Sequence, residues 1–261
     1  MTAALILAGG RLAPELVPVA DGATNRALIR VGANDETMLD LVVTAVKAGM
    51  GDAGRVLVAG DVPLPGGCEA VAGGDSLVQT LMNGANALRS DETRLLIATA
   101  DAPFLTSEAV ADFLTRAETV MPTPFVYPLI DAQICAKAFP GMKRTTLRIA
   151  EGTFTGGNLA LLDPAFLRRS ESAIRAAYAQ RKNVAGLAQM LGAETILRLL
   201  FSRVFPPLLA IKHVEHALGK MLQSDTPRAI ITPFAGVGAD VDRPEDVAFA
   251  RTILAKTPES A

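Results

Sequence analysis

Short apolar runs alternate along the chain with longer segments whose apolar residues recur at helical spacing. The short runs predict buried strands, because none of them is long enough for a helix. The longer segments predict helices with one face on the core. We expect strands at residues 3–8, 55–59, 68–71, 94–99, 124–129, 155–161, 228–232 and 237–241. We expect helices at residues 37–49, 76–89, 107–119, 164–179, 184–202, 208–222 and 244–255.

This alternation predicts an α/β fold in which a mixed, mostly parallel sheet carries helices on both faces. One stretch breaks the rhythm, because residues from about 171 to 225 are almost entirely helical. We interpret that stretch as a helical insertion. The sequence shows no repeat and no clear linker, so we expect a single domain over residues 1–255 and a loose tail at 256–261.

Composition narrows the classes of protein. Half of the 261 residues are hydrophobic and 20% are charged, so a sizeable core is expected. The formal net charge of −2 argues against a nucleic-acid partner, which needs a basic surface. Two cysteines, Cys68 and Cys135, form neither a disulfide framework nor a zinc motif, and the amino terminus lacks the features of a signal peptide. These features predict a cytoplasmic protein.

The most apolar segment, residues 196–211, raises the question of a membrane. It is shorter than the roughly 20 apolar residues that a spanning helix needs. It also contains two arginines and the pair Pro206-Pro207. We therefore expect no transmembrane segment and interpret these residues as a core helix. An interfacial helix, or a lid over an apolar substrate, stays open as an alternative.

The first predicted strand ends in a glycine turn, Ala8-Gly9-Gly10-Arg11. Glycines let the backbone approach a ligand, and N–H groups beside an arginine suit phosphate oxygens. A tight turn without a ligand is the alternative.

Other nucleotide-binding motifs are excluded. The G-x-G-x-x-G at 49–54 follows a helix, whereas a dinucleotide-binding motif follows a strand, and no P-loop sequence occurs. The two histidines, His213 and His216, match no zinc or serine-hydrolase motif.

Carboxylates follow two of the predicted strands. Asp101 comes directly after a buried strand and is expected at the same edge of the sheet as Gly9-Gly10. Asp240 and Asp242 alternate around Val241, so both would face one way on a strand. Carboxylates from distant segments beside a phosphate loop would hold Mg²⁺, a metal that also binds phosphates. Helix capping is the alternative for either acid alone.

Five blocks in chain order resemble the MobA-like nucleotidyltransferases, which have the glycosyltransferase type-A fold. The blocks are LILAGGR, Asn25-Arg26-Ala27-Leu28, TADAPFLT, Gly156-Gly157-Asn158-Leu159 and DVDRPEDV. The resemblance covers essentially the whole chain apart from the helical stretch after about residue 171. It implies an Mg²⁺-dependent enzyme that moves a nucleoside monophosphate from a nucleoside triphosphate (NTP) to a small phosphorylated acceptor and releases pyrophosphate.

The resemblance also implies roles for individual residues. Arg26 stands where the family usually has a lysine and would neutralise the departing pyrophosphate. Asp101 matches the metal-binding aspartate, and Asp240 or Asp242 matches the second one. The catalytic residues would be Arg11, Arg26 and Asp101. The triphosphate would lie on Ala8, Gly9, Gly10 and Arg11, the nucleobase on Gly73, Gly74, Asp75 and Ser76, and the acceptor near Gly157 and Asn158.

The chain departs from the family pattern in two places. The loop after Gly10, residues 12–18, is long and contains prolines. The turn at 140–145 contains the adjacent cations Lys143 and Arg144, which suit an acceptor phosphate. The alternative is that this is a solvated basic turn without a ligand. We interpret these features as a branch with its own acceptor, distinct from the molybdopterin enzymes. A glycosyltransferase with a nucleotide-sugar donor and a non-catalytic nucleotide-binding protein remain alternatives. The sequence names no base, acceptor or oligomeric state.

Overall fold

The structure is a computed structural model that describes residues 1–51, 54–180 and 206–255, together with a few isolated positions between 181 and 205. Its strands are β1 (Thr2–Leu7), β2 (Arg55–Ala59), β3 (Glu69–Val71), β4 (Arg94–Thr99), β5 (Phe125–Asp131), β6 (Leu147–Ile149), β7 (Gly152–Gly156), β8 (Leu159–Leu162) and β9 (Arg228–Ile231). Its α-helices, within those ranges, are α1 (Met38–Met50), α2 (Leu77–Asn86), α3 (Ser107–Glu118), α4 (Ala132–Ala138), α5 (Pro164–Arg169), α6 (Glu171–Ala179), α7 (Ile211–Met221) and α8 (Pro244–Leu254). Short 3₁₀ turns lie at Pro14–Val19, Arg26–Leu28, Pro206–Leu208 and Ala235–Gly238.

The strands form one sheet in the order β3-β2-β1-β4-β8-β5-β7-β6, and β9 pairs with β5. Strands β1 to β4 are mutually parallel. Strands β7 and β8 run against the rest, because β8 is antiparallel to β4 and β5, and β7 to β5 and β6. The predicted mixed, mostly parallel sheet is therefore confirmed.

Helices cover both faces of the sheet. Successive residues of a strand point to opposite faces, and β1 is buried on both. Ile6 packs in the cluster that contains Val42 of α1 and Phe113 of α3. Leu5 packs in the cluster that contains Met82 of α2 and Phe166 of α5. The same burial explains why β1, β2 and β4 contain continuous apolar runs.

The predicted strand at 155–161 falls on two strands, β7 and β8, which are separated by Gly157 and Asn158. A side chain on Gly157 would overlap Pro128 and Val237, since its Cβ would lie 2.7 Å from an atom of each. The next residue, Asn158, donates its backbone N–H to the Val237 carbonyl at 2.7 Å. Likewise the predicted helix at 164–179 is two helices, α5 and α6, which meet at the buried Ser170.

The predicted strand at 237–241 is wrong. The chain forms the 3₁₀ turn Ala235–Gly238 and then continues without a strand. Val237, Ala239 and Val241 are fully buried, so the alternation of apolar residues reflects core packing and not strand pairing. Sequence reasoning also missed helix α4 and the hairpin of β6 and β7.

The helical stretch is only partly described. Helix α6 and helix α7 fall inside it, and α7 begins at Ile211 instead of 208, because Pro206–Leu208 form a 3₁₀ turn. The predicted helix at 184–202 and the tail at 256–261 lie outside the described residues. Within the described ranges, no helix has both the length and the apolar character needed to cross a membrane.

Candidate active site

The glycine turn Ala8–Gly10 lies at the carboxyl end of β1, between β2 and β4. Ala8 donates its N–H to the carbonyl of Ala59, the last residue of β2, at 2.8 Å. The next residue on that side is Gly60, whose φ is +153°. A Cβ on Gly60 would lie 2.6 Å from the carbonyl carbon and oxygen of Ala8. Gly60 therefore has to be glycine for the turn to lie where it does.

Asn25 ties a second segment to the glycine turn. Its Nδ2 donates to the Ala8 carbonyl at 2.8 Å, and its Oδ1 accepts the N–H of Ala27 at 2.9 Å. The N–H of Arg26 donates to the Gly10 carbonyl at 3.4 Å. Arg26 is thus held beside the turn. Sequence reasoning missed Asn25 as a positioning residue, although an asparagine directly before a helical turn is a capping signal.

Arg26 brings two distant carboxylates together. Its guanidinium forms ion pairs with Asp101, two residues after β4, and with the exposed Asp242. The backbone also joins these segments, because Val241 donates its N–H to the Asp101 carbonyl at 2.8 Å. The Asp101 side chain is only 14% exposed, and its Oδ1 is buried without a hydrogen-bond partner among the described residues. A buried, unpaired carboxylate oxygen is a destabilising feature that points to a functional role.

Arg144 pairs with Asp240 next to this cluster. Its Nη1 donates to Oδ1 of Asp240 at 3.1 Å and to the Asp240 carbonyl at 3.3 Å. Burial, and then the neighbouring Asp242 carboxylate, raise the pKa of Asp240 to about 6, while Arg144 opposes that shift. The Arg144 side chain is only 11% exposed, so it is no solvated cation, whereas Lys143 beside it is exposed. Nothing in the sequence links the partners Arg144 and Asp240, which lie 96 residues apart.

The oxygen donors at this edge suit Mg²⁺. Asp101, Asp240 and Asp242 supply hard carboxylate oxygens, and one oxygen of Asp101 lacks a partner in the described part of the chain. As the side chains stand, Arg26 lies between Asp101 and Asp242, and no three acidic, histidine or cysteine side chains within the described ranges converge as a metal cage. Two carboxylates completed by phosphate oxygens and water are a normal magnesium site. A metal ion between Asp101 and Asp242 would take the place that the Arg26 guanidinium has in this structure.

The loop Gly73–Ser76 lies on the other side of the glycine turn. A Cβ on Gly73 would be 3.9 Å from the Cα of Gly60, so the two glycine segments are neighbours. The Gly74 N–H donates to Oγ1 of Thr80 at 3.0 Å, and Oγ of Ser76 accepts the N–H of Gln79 at 3.2 Å as the cap of α2. The Ser76 hydroxyl is therefore occupied by the helix. Gly73 and Asp75 are exposed, and so are Gly9 and Arg11.

A cavity of about 590 Å³ opens beside the carboxylate cluster. Its polar lining contains Lys143, Arg144, Thr145, Asn158, Asp240 and Asp242. Its apolar lining comes from β5, from the hairpin of β6 and β7, and from α7: Tyr127, Leu129, Leu147, Ile149, Phe154, Ile211 and Val214. Of this apolar set, sequence reasoning includes only Ile211, the last residue of the segment 196–211 for which a lid over an apolar substrate stayed open. The glycine Gly152, directly after the two-residue turn Ala150-Glu151 between two short segments, is the hairpin signal that points to another part of it.

Comparisons with solved structures define the fold. A 2-C-methyl-D-erythritol 4-phosphate cytidylyltransferase from Thermus thermophilus is 16% identical, with a TM-score of 0.52, over 97% of this chain and 98% of that one. A putative glucose-1-phosphate thymidylyltransferase from Bacillus anthracis is 12% identical, with a TM-score of 0.58, over 100% of this chain and 98% of that one. The chain thus has the nucleotide-diphospho-sugar transferase fold.

The family follows from a more similar structure. A hypothetical transferase from Thermus thermophilus is 32% identical to this chain, with a TM-score of 0.81, and the match covers 94% of this chain and 99% of that one. The chain belongs to the same family as that hypothetical transferase. No family model matches the sequence, and no curated protein matches it either.

Proposed function

We propose that the protein is a nucleotidyltransferase that moves a nucleoside monophosphate from an NTP to a phosphorylated acceptor and releases pyrophosphate. One observation carries the proposal: the glycine turn, Arg26 and Asp101 meet at one edge of a sheet of this fold, with a cation-bearing cavity beside them. The names of the similar structures, a cytidylyltransferase and a thymidylyltransferase among them, support the same reaction class. The MobA-like branch stays part of the proposal.

The nucleotide belongs on the side of β1, β2 and β3. Gly9 is exposed, and a Cβ there would meet nothing within 4 Å, so its backbone is accessible to phosphate oxygens. Arg11 is exposed at the same turn and adds a cation. The loop Gly73–Ser76 is the proposed platform for the base, because it is the next exposed glycine segment along this edge.

Positioning and charge neutralisation would carry the chemistry. Arg26 would leave its carboxylate partners for the triphosphate and stabilise the charge that develops on the departing pyrophosphate. Lys143 and Arg144 would hold the acceptor phosphate in line with the α-phosphorus. Asp101, with Asp240 or Asp242, would hold the Mg²⁺ that polarises the phosphates and orients them. The two carboxylate segments reach one place because Val241 hydrogen-bonds to Asp101.

The first test measures ligand binding and then turnover. Each NTP with Mg²⁺ should raise the Tm of the protein, because a ligand that binds only the folded state stabilises it. Pyrophosphate release should then follow with a panel of sugar phosphates and alkyl phosphates as acceptors. If no NTP raises the Tm, the proposal fails. Release of a nucleoside diphosphate from a nucleotide sugar, without pyrophosphate release from NTPs, would favour a glycosyltransferase instead.

Substitution of Asp101 gives the site-specific form of this test. Asp101→Asn should lower the rate of pyrophosphate release on the order of a hundredfold or more, because a metal carboxylate contributes several kcal/mol to the transition state. The Tm should change little, because Oδ1 of Asp101 is already unpaired in the described part of the structure and Arg26 keeps its ion pair with Asp242. Asp91→Asn is the matched control, because the exposed Asp91 precedes the opposite end of β4. Near-normal turnover of Asp101→Asn would remove Asp101 from the site.

A further inference from the structure

We infer that the acceptor is a phosphate monoester with an apolar body, whose phosphate binds at Arg144 and whose hydrocarbon part fills the apolar half of the cavity. The inference rests on the proposed function, since it names the substrate of the same site. The cavity that carries it is lined by none of the residues assigned to the nucleotide, at 8–11 and 73–76. The acceptor therefore has a compartment of its own.

The polar end has unused capacity for an anion. Nε of Arg144 is buried without a hydrogen-bond partner among the described residues, and its Nη2 faces only the sulfur of Met142 at 3.5 Å. A guanidinium has five donors, and here the oxygen acceptors, the Asp240 carboxylate and the carbonyls of Asp240 and Lys143, all bond to Nη1. Lys143 adds an exposed cation with no ion pair in the described part of the chain. A phosphate group supplies the acceptors that this pair of cations lacks.

The apolar end is a small hydrophobic cluster separate from the two cores of the sheet. Ile149, Phe154 and Leu209 form its buried centre. Its partly buried members, which line the cavity, are Leu129, Leu147, Ile211 and Val214. Hydroxyl groups of a sugar would lose water here without gaining hydrogen bonds from these side chains, which is costly. A hydrocarbon group would instead bury apolar surface against them.

The amino terminus of α7, at the other end of the cavity from Arg144, offers no second phosphate site. The ligand can therefore bind in one orientation only, with its phosphate at Arg144. The Glu151 carboxylate accepts the N–H of Ile211, with both oxygens at 3.1 Å. The N–H of Ala210 donates to Nδ1 of His213 at 3.0 Å. An anion at this helix end would meet a carboxylate. The phosphate therefore belongs at the end where Arg144 and Asp240 lie, next to the carboxylate cluster at which transfer would occur.

The size of the cavity agrees with such a ligand. Its volume of about 590 Å³ lies within the ~300–1,000 Å³ typical of sites for drug-sized molecules. The acceptor phosphate would lie beside Asp240 and Asp242, and the body would extend between the hairpin of β6 and β7 and helix α7. Transfer would then form a bond between an acceptor phosphate oxygen and the α-phosphorus of the NTP and break the bond to the pyrophosphate, which leaves with the electron pair.

The test compares n-octyl phosphate, below its micellar concentration, with glucose 1-phosphate and with octanol. Calorimetry on the protein without NTP should show an affinity for octyl phosphate at least about 10-fold higher than for either other probe. Contacts with one or a few methylenes in an apolar pocket account for a difference of that size. Val214→Gln should weaken octyl phosphate binding about 10-fold and leave the NTP-induced rise in Tm unchanged. His216→Gln is the matched control, because His216 is exposed on the same helix.

Leu147→Gln, on the other wall of the cavity, repeats the test in case Val214→Gln does not fold. The inference would be overturned if glucose 1-phosphate bound as tightly as octyl phosphate or more tightly, or if neither phosphate bound. It would also be overturned if both variants kept the wild-type affinity for octyl phosphate. Failure of the proposed function has a different signature. Octyl phosphate would then bind and respond to Val214→Gln, but no NTP would raise the Tm or release pyrophosphate.

Discussion

Arg26 joins three segments that lie far apart in the sequence. Its backbone is bonded to Gly10, and its guanidinium pairs with Asp101 and Asp242. Without that cation, the carboxylates at this edge would repel one another, as the raised pKa of Asp240, caused by burial and by Asp242, already indicates. Under the proposed function, the same side chain would serve two partners in turn, the carboxylates and then the phosphates of an NTP.

Substitution of Arg26 tests this exchange. Arg26→Ala should weaken NTP binding and lower kcat/KM by about 100-fold, because a charged donor aimed at a developing charge contributes roughly 3 kcal/mol. Arg26→Lys should recover part of the loss, since it keeps the charge without the planar fork. Calorimetry and pyrophosphate release measure the two effects. Arg30→Ala is the control, because Arg30 is exposed nearby; equal NTP affinity in wild type and Arg26→Ala would contradict the role.

The sequence could predict the neighbourhood of Asp101 but not that of Arg144. Asp101 and Gly9 follow parallel strands, and parallel strands end at a shared edge, so their approach follows from the order of the elements. Arg144 lies in an irregular segment between α4 and β6, both of which sequence reasoning missed. Its pairing with Asp240 is a tertiary contact without a periodic signal. The mutual approach of Asp240 and Asp242 was expected from a strand that does not form.

At the scale of elements, the glycine turn depends on how β2 ends. Gly60 follows β2 with a φ of +153°, which favours glycine, and it contacts the backbone of Ala8. Gly60→Ala should lower the free energy of unfolding by roughly 1–3 kcal/mol, the range for a strained backbone. It should also weaken NTP binding, because the new Cβ would displace the turn. Urea unfolding and calorimetry measure both effects.

Gly66→Ala is the matched control for that substitution. A Cβ on Gly66 would meet nothing within 4 Å, so stability should change by no more than about 0.5 kcal/mol. Wild-type stability and NTP affinity in Gly60→Ala would show that the close contact with Ala8 is unimportant. Sequence reasoning placed the strands on either side of this contact correctly. It could not identify Gly60, because the contact lies between two loops and not within an element.

At the scale of the molecule, the sheet has two halves that meet at β4 and β8. The parallel half, β3-β2-β1-β4, carries the proposed nucleotide residues, and the other half carries the cavity. The halves are joined at the site, because Thr99 donates its N–H to the Asn158 carbonyl at 3.2 Å. The continuous apolar runs of β1, β2 and β4 predicted the parallel half well, since these strands are buried on both faces. It predicted the other half poorly, because bends such as Gly157 depend on tertiary contacts.

A buried ion pair lies at the amino ends of the parallel strands, away from the candidate active site. It links β2 to the segment that precedes β4. Arg55 of β2 donates to both carboxylate oxygens of Glu92, at 2.8 and 2.6 Å, and to the Ala87 carbonyl at 2.7 Å. Glu92 is only 8% exposed. Hydrogen bonding from Arg55 lowers the pKa of Glu92 from 4.5 to about 2. The pair therefore favours folding whenever Glu92 is ionised.

Glu92→Gln should show this dependence on pH. A carboxyl whose pKa is lowered by folding stabilises the protein above its unfolded pKa, and the effect is lost as the pH falls from about 4.5 towards 2. At pH 7 the variant should lose about 3 kcal/mol of unfolding free energy, because Arg55 keeps its charge without its partner. The gap to wild type should then shrink below pH 4.5, since protonated Glu92 resembles glutamine. Carboxyls far from Arg55 affect both proteins alike, so the difference between the two reports on the ion pairs of Arg55.

Urea unfolding between pH 7 and 3 measures that difference directly. Glu69→Gln is the matched control, because Glu69 also pairs with Arg55 but its side chain is 50% exposed. It should cost no more than about 1 kcal/mol at pH 7, as exposed ion pairs do. A constant offset between wild type and Glu92→Gln at every pH would mean that packing, and not charge, accounts for the loss. Equal stability at pH 7 would mean that this end of the sheet is held by its strands alone.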